Sequence, residues 1–268
     1  MFCIMLIACV AIGFSHAGER YITLASTTST ENSGLYDYLL PLFTARAGIE
    51  VRVVAVGTGK AIKMAEKGDA DVLLVHHKVS EEKFVAAGHG VERFDVMYND
   101  FVIVGPDSDP AGIAGAGSAL EALKKIASSK SAFASRGDDS GTHKREVALW
   151  RAAGIDPTSE GQSWYRETGS GMGATLNVGI GLEGYILTDR STWLNFSNKG
   201  KMKLLVENDP DLFNQYGVIL VSPARHSHIK ADDGQAFIDW LVSRPGQQAI
   251  NAYRIKDQQA FYANAAEF

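Results

Sequence analysis

The chain has 268 residues, enough for one large domain or two linked lobes, each with its own hydrophobic core. An apolar fraction of 46% and a charged fraction of 21% are those of an ordinary globular protein and exclude a disordered or repeat-built chain. The net charge of −5 and pI near 5.8, with no Lys/Arg stripe, exclude nucleic acid as the main partner. They leave room for a small anion, which responds to nearby dipoles and donors rather than to a screened surface total.

The first predicted element is a leader. Met1 to Ala17 carries no formal charge, Phe2 to Phe14 is almost wholly apolar, and Ser15-His16-Ala17 ends in small residues. That is the layout of a secretory signal cleaved after Ala17, although it has no basic n-region. The apolar run is shorter than the roughly 20 residues that a membrane span needs. Leu6-Ile7-Ala8-Cys9 also fits a lipobox, but few residues precede Cys9 and the chain stays apolar after it. Soluble export to a periplasmic or extracellular destination is therefore preferred over lipidation at Cys9. Cys3 and Cys9 both lie in the leader, so the mature chain has no disulfide, thiolate metal site or cysteine nucleophile. Its histidines are scattered, and His76 and His77 would face opposite sides of a strand. Neither a structural metal nor a cofactor is expected.

Beyond the leader, short apolar runs alternate with helical patterns, which predicts an α/β fold built from parallel units. Strands are expected at Tyr21–Leu24, Ile49–Val56, Asp71–Val75, Phe101–Val104, Ala132–Ala134, Tyr185–Leu187 and Val218–Val221. Helices are expected at Ser33–Ala47, Gly59–Lys67, Ala119–Ser128, Gly141–Ala153, Ala236–Leu241 and Gly246–Tyr253, with Gly154 as a C-terminal stop. Tyr21–Gly48 and Ser131–Gly154 share one plan: strand, polar loop, Ser-Gly, helix, Ala-Gly. Two similar halves of this kind place donor-rich loops on both walls of a cleft.

Four loops carry the candidate chemistry. They are Ser26-Thr27-Thr28-Ser29-Thr30, Gly57-Thr58-Gly59, Arg136-Gly137-Asp138-Asp139-Ser140-Gly141-Thr142-His143, and Gly169-Ser170-Gly171-Met172-Gly173-Ala174-Thr175. Each lies where a helix is expected to begin. A helix start leaves N–H groups unpaired and carries partial positive charge, glycine admits close approach, and hydroxyls add rotatable donors. Ordinary N-capping accounts for one such loop more easily than for four. Arg136 adds the only full positive charge, a planar fork matched to two oxygens of an oxyanion, with Asp138 placed to hold it.

Other motif readings fail. Gly57-Thr58-Gly59-Lys60-Ala61 resembles the end of a P-loop, but Val54 stands where glycine is required and Ala61 replaces the magnesium-binding hydroxyl. Gly169-x-Gly171-x-x-Ala174, with Asp189 beyond it, meets the loose dinucleotide pattern. The preceding Gln162–Thr168 is too polar for the buried strand which that motif follows. Ser140 and His143 lack a nucleophile elbow, and His143 reads as a cap-region residue. Glu183 and Asp189-Arg190 read as a structural turn and ion pair, Lys60 and Lys63 as solvated charges, and Trp164, Trp193 and Trp240 as core.

In this order, the loops resemble the substrate-binding protein of tungstate ABC importers. The likeness spans nearly the whole mature chain and rests on Leu24-Ala25-Ser26-Thr27-Thr28-Ser29-Thr30 with Ser33-Gly34-Leu35, and on Arg136–His143. Gly171-Met172-Gly173-Ala174-Thr175-Leu176 and Tyr185-Ile186-Leu187-Thr188-Asp189-Arg190 complete it. That family usually has Thr where Ser26 stands. Arg136–Thr142 also looks like the anion loop of phosphate-binding proteins, so phosphate or sulfate is the alternative ligand. An enzyme cradling a phosphorylated substrate is a more distant alternative, because the loops are rich in donors and poor in bases. The resemblance implies a two-lobed type II periplasmic binding protein with mixed sheets and two crossover strands, near Phe101–Val104 and Tyr216–Val221. Lobe one would be residues 18–100 plus 214–268, and lobe two residues 101–213. The protein would be a monomeric receptor, not an enzyme, that captures tungstate or molybdate and delivers it to a membrane permease. Lobe one would offer Thr27, Thr28, Ser29 and Thr58; lobe two would offer Arg136, Ser140, Gly141, Thr142 and Thr175.

Overall fold

The computed structural model describes residues 20–159 and 162–266, so the predicted leader lies outside the described residues. Strand β1 (Tyr21–Thr27) alternates buried residues along its first half and pairs in parallel with β2 (Glu50–Val56) and β3 (Val72–Val75). Between β1 and β2 lie the single-turn α1 (Thr28–Asn32) and α2 (Leu35–Ala47). Gly34 separates the two helices at a φ of 78°, a left-handed conformation that glycine adopts without a Cβ penalty. The sequence reading began the helix at Ser33, two residues before α2, and did not anticipate α1.

Helix α3 (Thr58–Lys67) returns the chain to β3, and α4 (Lys78–Ala86) leads from β3 into β4 (Gly90–Pro106). β4 is the spine of the molecule. Over Gly90–Asp100 it pairs antiparallel with β9 (Phe213–Val221), and over Phe101–Pro106 it pairs with two later strands. Sequence reading found only Phe101–Val104 of this strand. Charged residues interrupt its first half, whereas Val102, Ile103 and Val104 are buried on both faces.

In chain order, the second half contributes α5 (Ala119–Ser129), β5 (Phe133–Ser135), α6 (Gly141–Ala152), β6 (Tyr165–Glu167), α7 (Met172–Gly181), β7 (Ile186–Asp189), α8 (Arg190–Asn195) and β8 (Met202–Val206). Gly154, at φ 74°, ends the α6 region as the sequence predicts. The chain returns to the first sheet just before Phe213, where Leu212 packs in the second-half core and Tyr216 in the first. The return therefore precedes Tyr216–Val221, which pairs inside the first sheet. Helices α9 (Ala231–Val242) and α10 (Arg244–Ala252) finish the chain against that sheet.

Each half is a layered α/β unit. In the first, α2, α9 and α10 cover one face of the sheet, and α3 and α4 cover the other. In the second, α5 and α6 pack on one side, and α7 and α8 on the other. This is the two-lobed type II architecture, with mixed sheets joined by two crossing segments.

Candidate functional site

Parallel pairing of β1, β2 and β3 brings their carboxyl ends together, so Thr27, Gly57-Thr58 and His76 emerge along one edge. In the other half, β5 and β7 end at Arg136 and Asp189. The carboxyl ends of such strands are where α/β folds place ligands. The halves meet here directly. The Gly141 N–H, at the start of α6, donates to the Thr58 hydroxyl at 3.1 Å. Glycine is required at that contact, since a Cβ would lie 2.8 Å from His76 Cε1 and 3.0 Å from Thr58 Oγ1. A second link runs from Asn195 Nδ2 to the Asn32 carbonyl at 2.7 Å. A cleft of about 360 Å³ opens beside the junction, lined in part by His76, Phe101, Gly141, Lys144, Arg145 and Asn214.

Thr27, Ser29, Thr58 and Gly141 fall into one neighbourhood. Thr27 Oγ1 lies 2.8 Å from Thr30 Oγ1 and 3.2 Å from Ser29 Oγ, and Ser29 Oγ lies 3.2 Å from His76 Nε2. Thr28, half-buried, opens α1. Arg136 is only 3% exposed; its Nη2 donates to Asp138 Oδ2, as the sequence predicts, while its Nε has no partner. Thr142 is fully buried with an unpartnered hydroxyl. Ser140 is the N-cap of α6, accepting from the His143 N–H at 3.1 Å, so capping already occupies part of this hydroxyl. The Thr175 hydroxyl is turned inward, 2.8 Å from Thr168 Oγ1 and 3.2 Å from the Gly171 carbonyl. Its loop hangs on the Arg136 carbonyl through Ser170 N–H and the Thr168 hydroxyl. The starts of α1, α3 and α7 carry no side-chain cap, which leaves their N–H groups available.

Asp138 serves the protein rather than the cleft. Its Oδ1 accepts from the Ser140 N–H and its Oδ2 from Arg136. Burial alone would raise this carboxyl, but bonding to Ser140 and the Arg136 charge hold it below the usual carboxylate range. Asp139 is exposed and pairs with Lys144 at 3.2 Å. Among the described residues, no group of three or more His, Cys, Asp or Glu is placed to hold a metal ion.

Sequence reasoning missed His76. It is buried, stacks on Tyr216 at 4.9 Å between ring centroids, and bonds Asn214 Oδ1 through Nδ1 at 3.0 Å. The available signal was its position directly after the buried run Val72–Val75, at the carboxyl end of a parallel strand. The Asp189-Arg190 pair also resolves differently from the expected turn and ion pair. Asp189 caps α8, and Arg190 forks onto Asp100 at 2.6 and 2.5 Å and reaches Glu207 at 2.7 Å. Trp164, Trp193 and Trp240 are core residues, as read.

Two α/β lobes joined at crossing segments, with donors from both walls meeting at one junction, define the solute-receptor class of binding protein. The PBP superfamily domain matches residues 15–245, and the chain belongs to that superfamily and, within it, to the family of the TupA tungstate-binding proteins described next. The chain is 49% identical to the tungstate-binding protein TupA of Peptoclostridium acidaminophilum, over 92% of this chain and 86% of that protein. It is 39% identical to TupA of Campylobacter jejuni, over 88% of each. Among solved structures, it resembles the tungstate-binding protein TupA of Desulfovibrio alaskensis at TM-score 0.80 and 45% identity, covering 92% of this chain and 99% of that one.

Proposed function

We propose that this protein captures tungstate, with molybdate as the closest competing ion, in the cleft between its lobes and delivers it to the permease of an ABC importer. The lobes in this reading are residues 18–100 with 214–268 and residues 101–213. The protein works as an exported monomer without catalysis. The observation that carries the reading is the pair of buried donors lacking acceptors, the Arg136 Nε and the Thr142 hydroxyl, beside the Thr58–Gly141 junction. A buried donor left unpaired costs about 1–3 kcal/mol, more for a charged group, which an incoming acceptor recovers.

Tungstate near neutral pH is a proton-free tetrahedral dianion and accepts hydrogen bonds only. Thr27, Thr28, Ser29 and Thr58 would meet it from one wall, and Arg136, Ser140, Gly141, Thr142 and Thr175 from the other. Charge-assisted bonds are worth about 1.5–3 kcal/mol each, and nanomolar capture needs only about −12 kcal/mol net, so a modest number suffices after desolvation. Both oxygens of Asp138 face protein donors, which disfavours a protonated ion such as hydrogen phosphate. Sulfate is proton-free as well, and rejecting it falls to cavity size.

The test is thermal unfolding with tungstate, molybdate, sulfate, phosphate and ATP with magnesium. Tungstate and molybdate should raise Tm by several degrees, sulfate and phosphate by less. A shift with ATP and magnesium alone would replace this reading by the enzyme.

A further inference from the structure

His76 lies on the lobe-one wall, in contact with Ser29 and Gly141, and the capture reading has not used it. Its bonds fix a direction. Asn214 Nδ2 donates to Asn99 Oδ1 at 2.7 Å, so Asn214 presents its Oδ1 to His76. His76 Nδ1 therefore carries the proton, and in a neutral ring Nε2 is an acceptor. Ser29 Oγ, 3.2 Å away, must donate to it. Ser29 then offers only lone pairs, to Thr27 Oγ1 at 3.2 Å and to any ion bound beside it. The Ser29 lone pairs then draw the Thr27 proton at 3.2 Å, while either hydroxyl can donate in the 2.8 Å contact between Thr27 and Thr30. A neutral ring thus turns two hydroxyls away from an ion that needs donors.

We propose that His76 is the positioning residue that sets which way the Ser29 and Thr27 protons point, and that the oxyanion is captured together with a proton on this ring. The proposal rests on the capture reading and deepens it. With Nε2 protonated, the ring donates to Ser29 Oγ, the Ser29 proton is released toward the cleft, and Thr27 is free to follow. The proton comes from solvent, and no bond other than N–H is made.

The surrounding charges fit such a switch. From the end of β7, the Asp189 carboxylate favours the imidazolium, while Arg136 and the neighbouring His77 oppose it, as does the start of α6 at Gly141. β4 and β9 contribute the uncharged rings of Phe101 and Tyr216, and Asp95, Lys144 and Arg145 line the same cleft. In this structure burial dominates and depresses the ring to about 4, so it is neutral near pH 7. A dianion seated by Arg136 more than cancels the guanidinium, and the balance turns toward the imidazolium.

The test is titration calorimetry of the full chain with sodium tungstate, and with sulfate and phosphate in parallel, in buffers of different ionisation heat at about pH 7.5. The expected result is uptake of about one proton per ion bound, with Kd weakening about tenfold per pH unit on the alkaline side. His76→Gln keeps an N–H on Ser29 but takes no proton, so uptake should vanish and affinity become flat with pH. Asn214→Asp sets a carboxylate against Nδ1 and protonates the ring beforehand, and uptake should shrink. If either variant fails to fold, the wild-type proton count decides alone. Binding without proton exchange in the wild type overturns the role of His76 and leaves capture standing. If no oxyanion binds, capture and this inference fall together.

Discussion

Gly141 and Thr58 lie 83 positions apart in the chain, in different lobes, yet the amide of one donates to the hydroxyl of the other at 3.1 Å. The start of α6 thus rests on the start of α3. Two donor-bearing helix termini are held face to face by a single bond that an isolated lobe could not make.

That bond should help set ligand affinity. Thr58→Val keeps the shape and removes the acceptor, leaving the Gly141 N–H unpaired at a cost of about 1–3 kcal/mol. Oxyanion affinity should fall roughly tenfold or more by calorimetry. Gly141→Ala should do more, because its Cβ would meet His76 at 2.8 Å and hold the lobes apart.

Arg136→Gln removes the buried guanidinium at the junction. Loss of a charge-assisted partner is worth about 1.5–3 kcal/mol, so tungstate affinity should drop roughly 10- to 150-fold. Titration with an unchanged Kd would remove Arg136 from the site.

Much of this was legible in the sequence because local chemistry and tertiary role coincide. Val-rich β2, the apolar Val72–Val75 run and the Gly154 stop each have one reading. Arg136 with Asp138 could be paired because two residues in one loop reach each other whatever the rest of the chain does. His76 was not legible. Its meaning depends on Ser29, 47 positions away, and Asn214, 138 away, and no local pattern encodes that meeting. The first half of β4 was hidden for a related reason: Glu92, Arg93 and Asp95 break its apolar pattern. Arg93 pairs through Nε with Glu81 on α4 at 2.6 Å and through Nη1 with Asp95 at 2.6 Å, while its Nη2 is left without a partner among the described residues.

The Arg93–Glu81 pair gives a stability prediction. Gly217 on β9 leaves the space it occupies, since a Cβ there would lie 2.2 Å from Glu81 Oε2 and 2.8 Å from Arg93 Nε. Gly217→Ala should destabilise the fold by about 1–3 kcal/mol through overpacking. Chemical denaturation with an unchanged midpoint would contradict that packing.

Glu146 supplies a pH dependence. It is buried on α6 and accepts from the Tyr165 hydroxyl at 2.6 Å. Burial raises its carboxyl to about 7 despite that bond. Stability from the neutral acid is fully present below its ordinary value near 4.5 and is lost as pH rises through about 7. Folding free energy should therefore decline across that window by up to roughly 3 kcal/mol from this group. Glu146→Gln should flatten the decline and be the more stable protein at about pH 8, as read by denaturant unfolding at both ends of the window.

The account as a whole requires one enclosed point where donors from both lobes converge on a proton-free ion. Tungsten's anomalous X-ray scattering can locate that point in crystals grown with tungstate. The account predicts one strong peak between the lobes, with oxygens in hydrogen-bonding reach of Arg136, Thr142 and Thr58. A peak on another face, or one ringed by carboxylates, would contradict it.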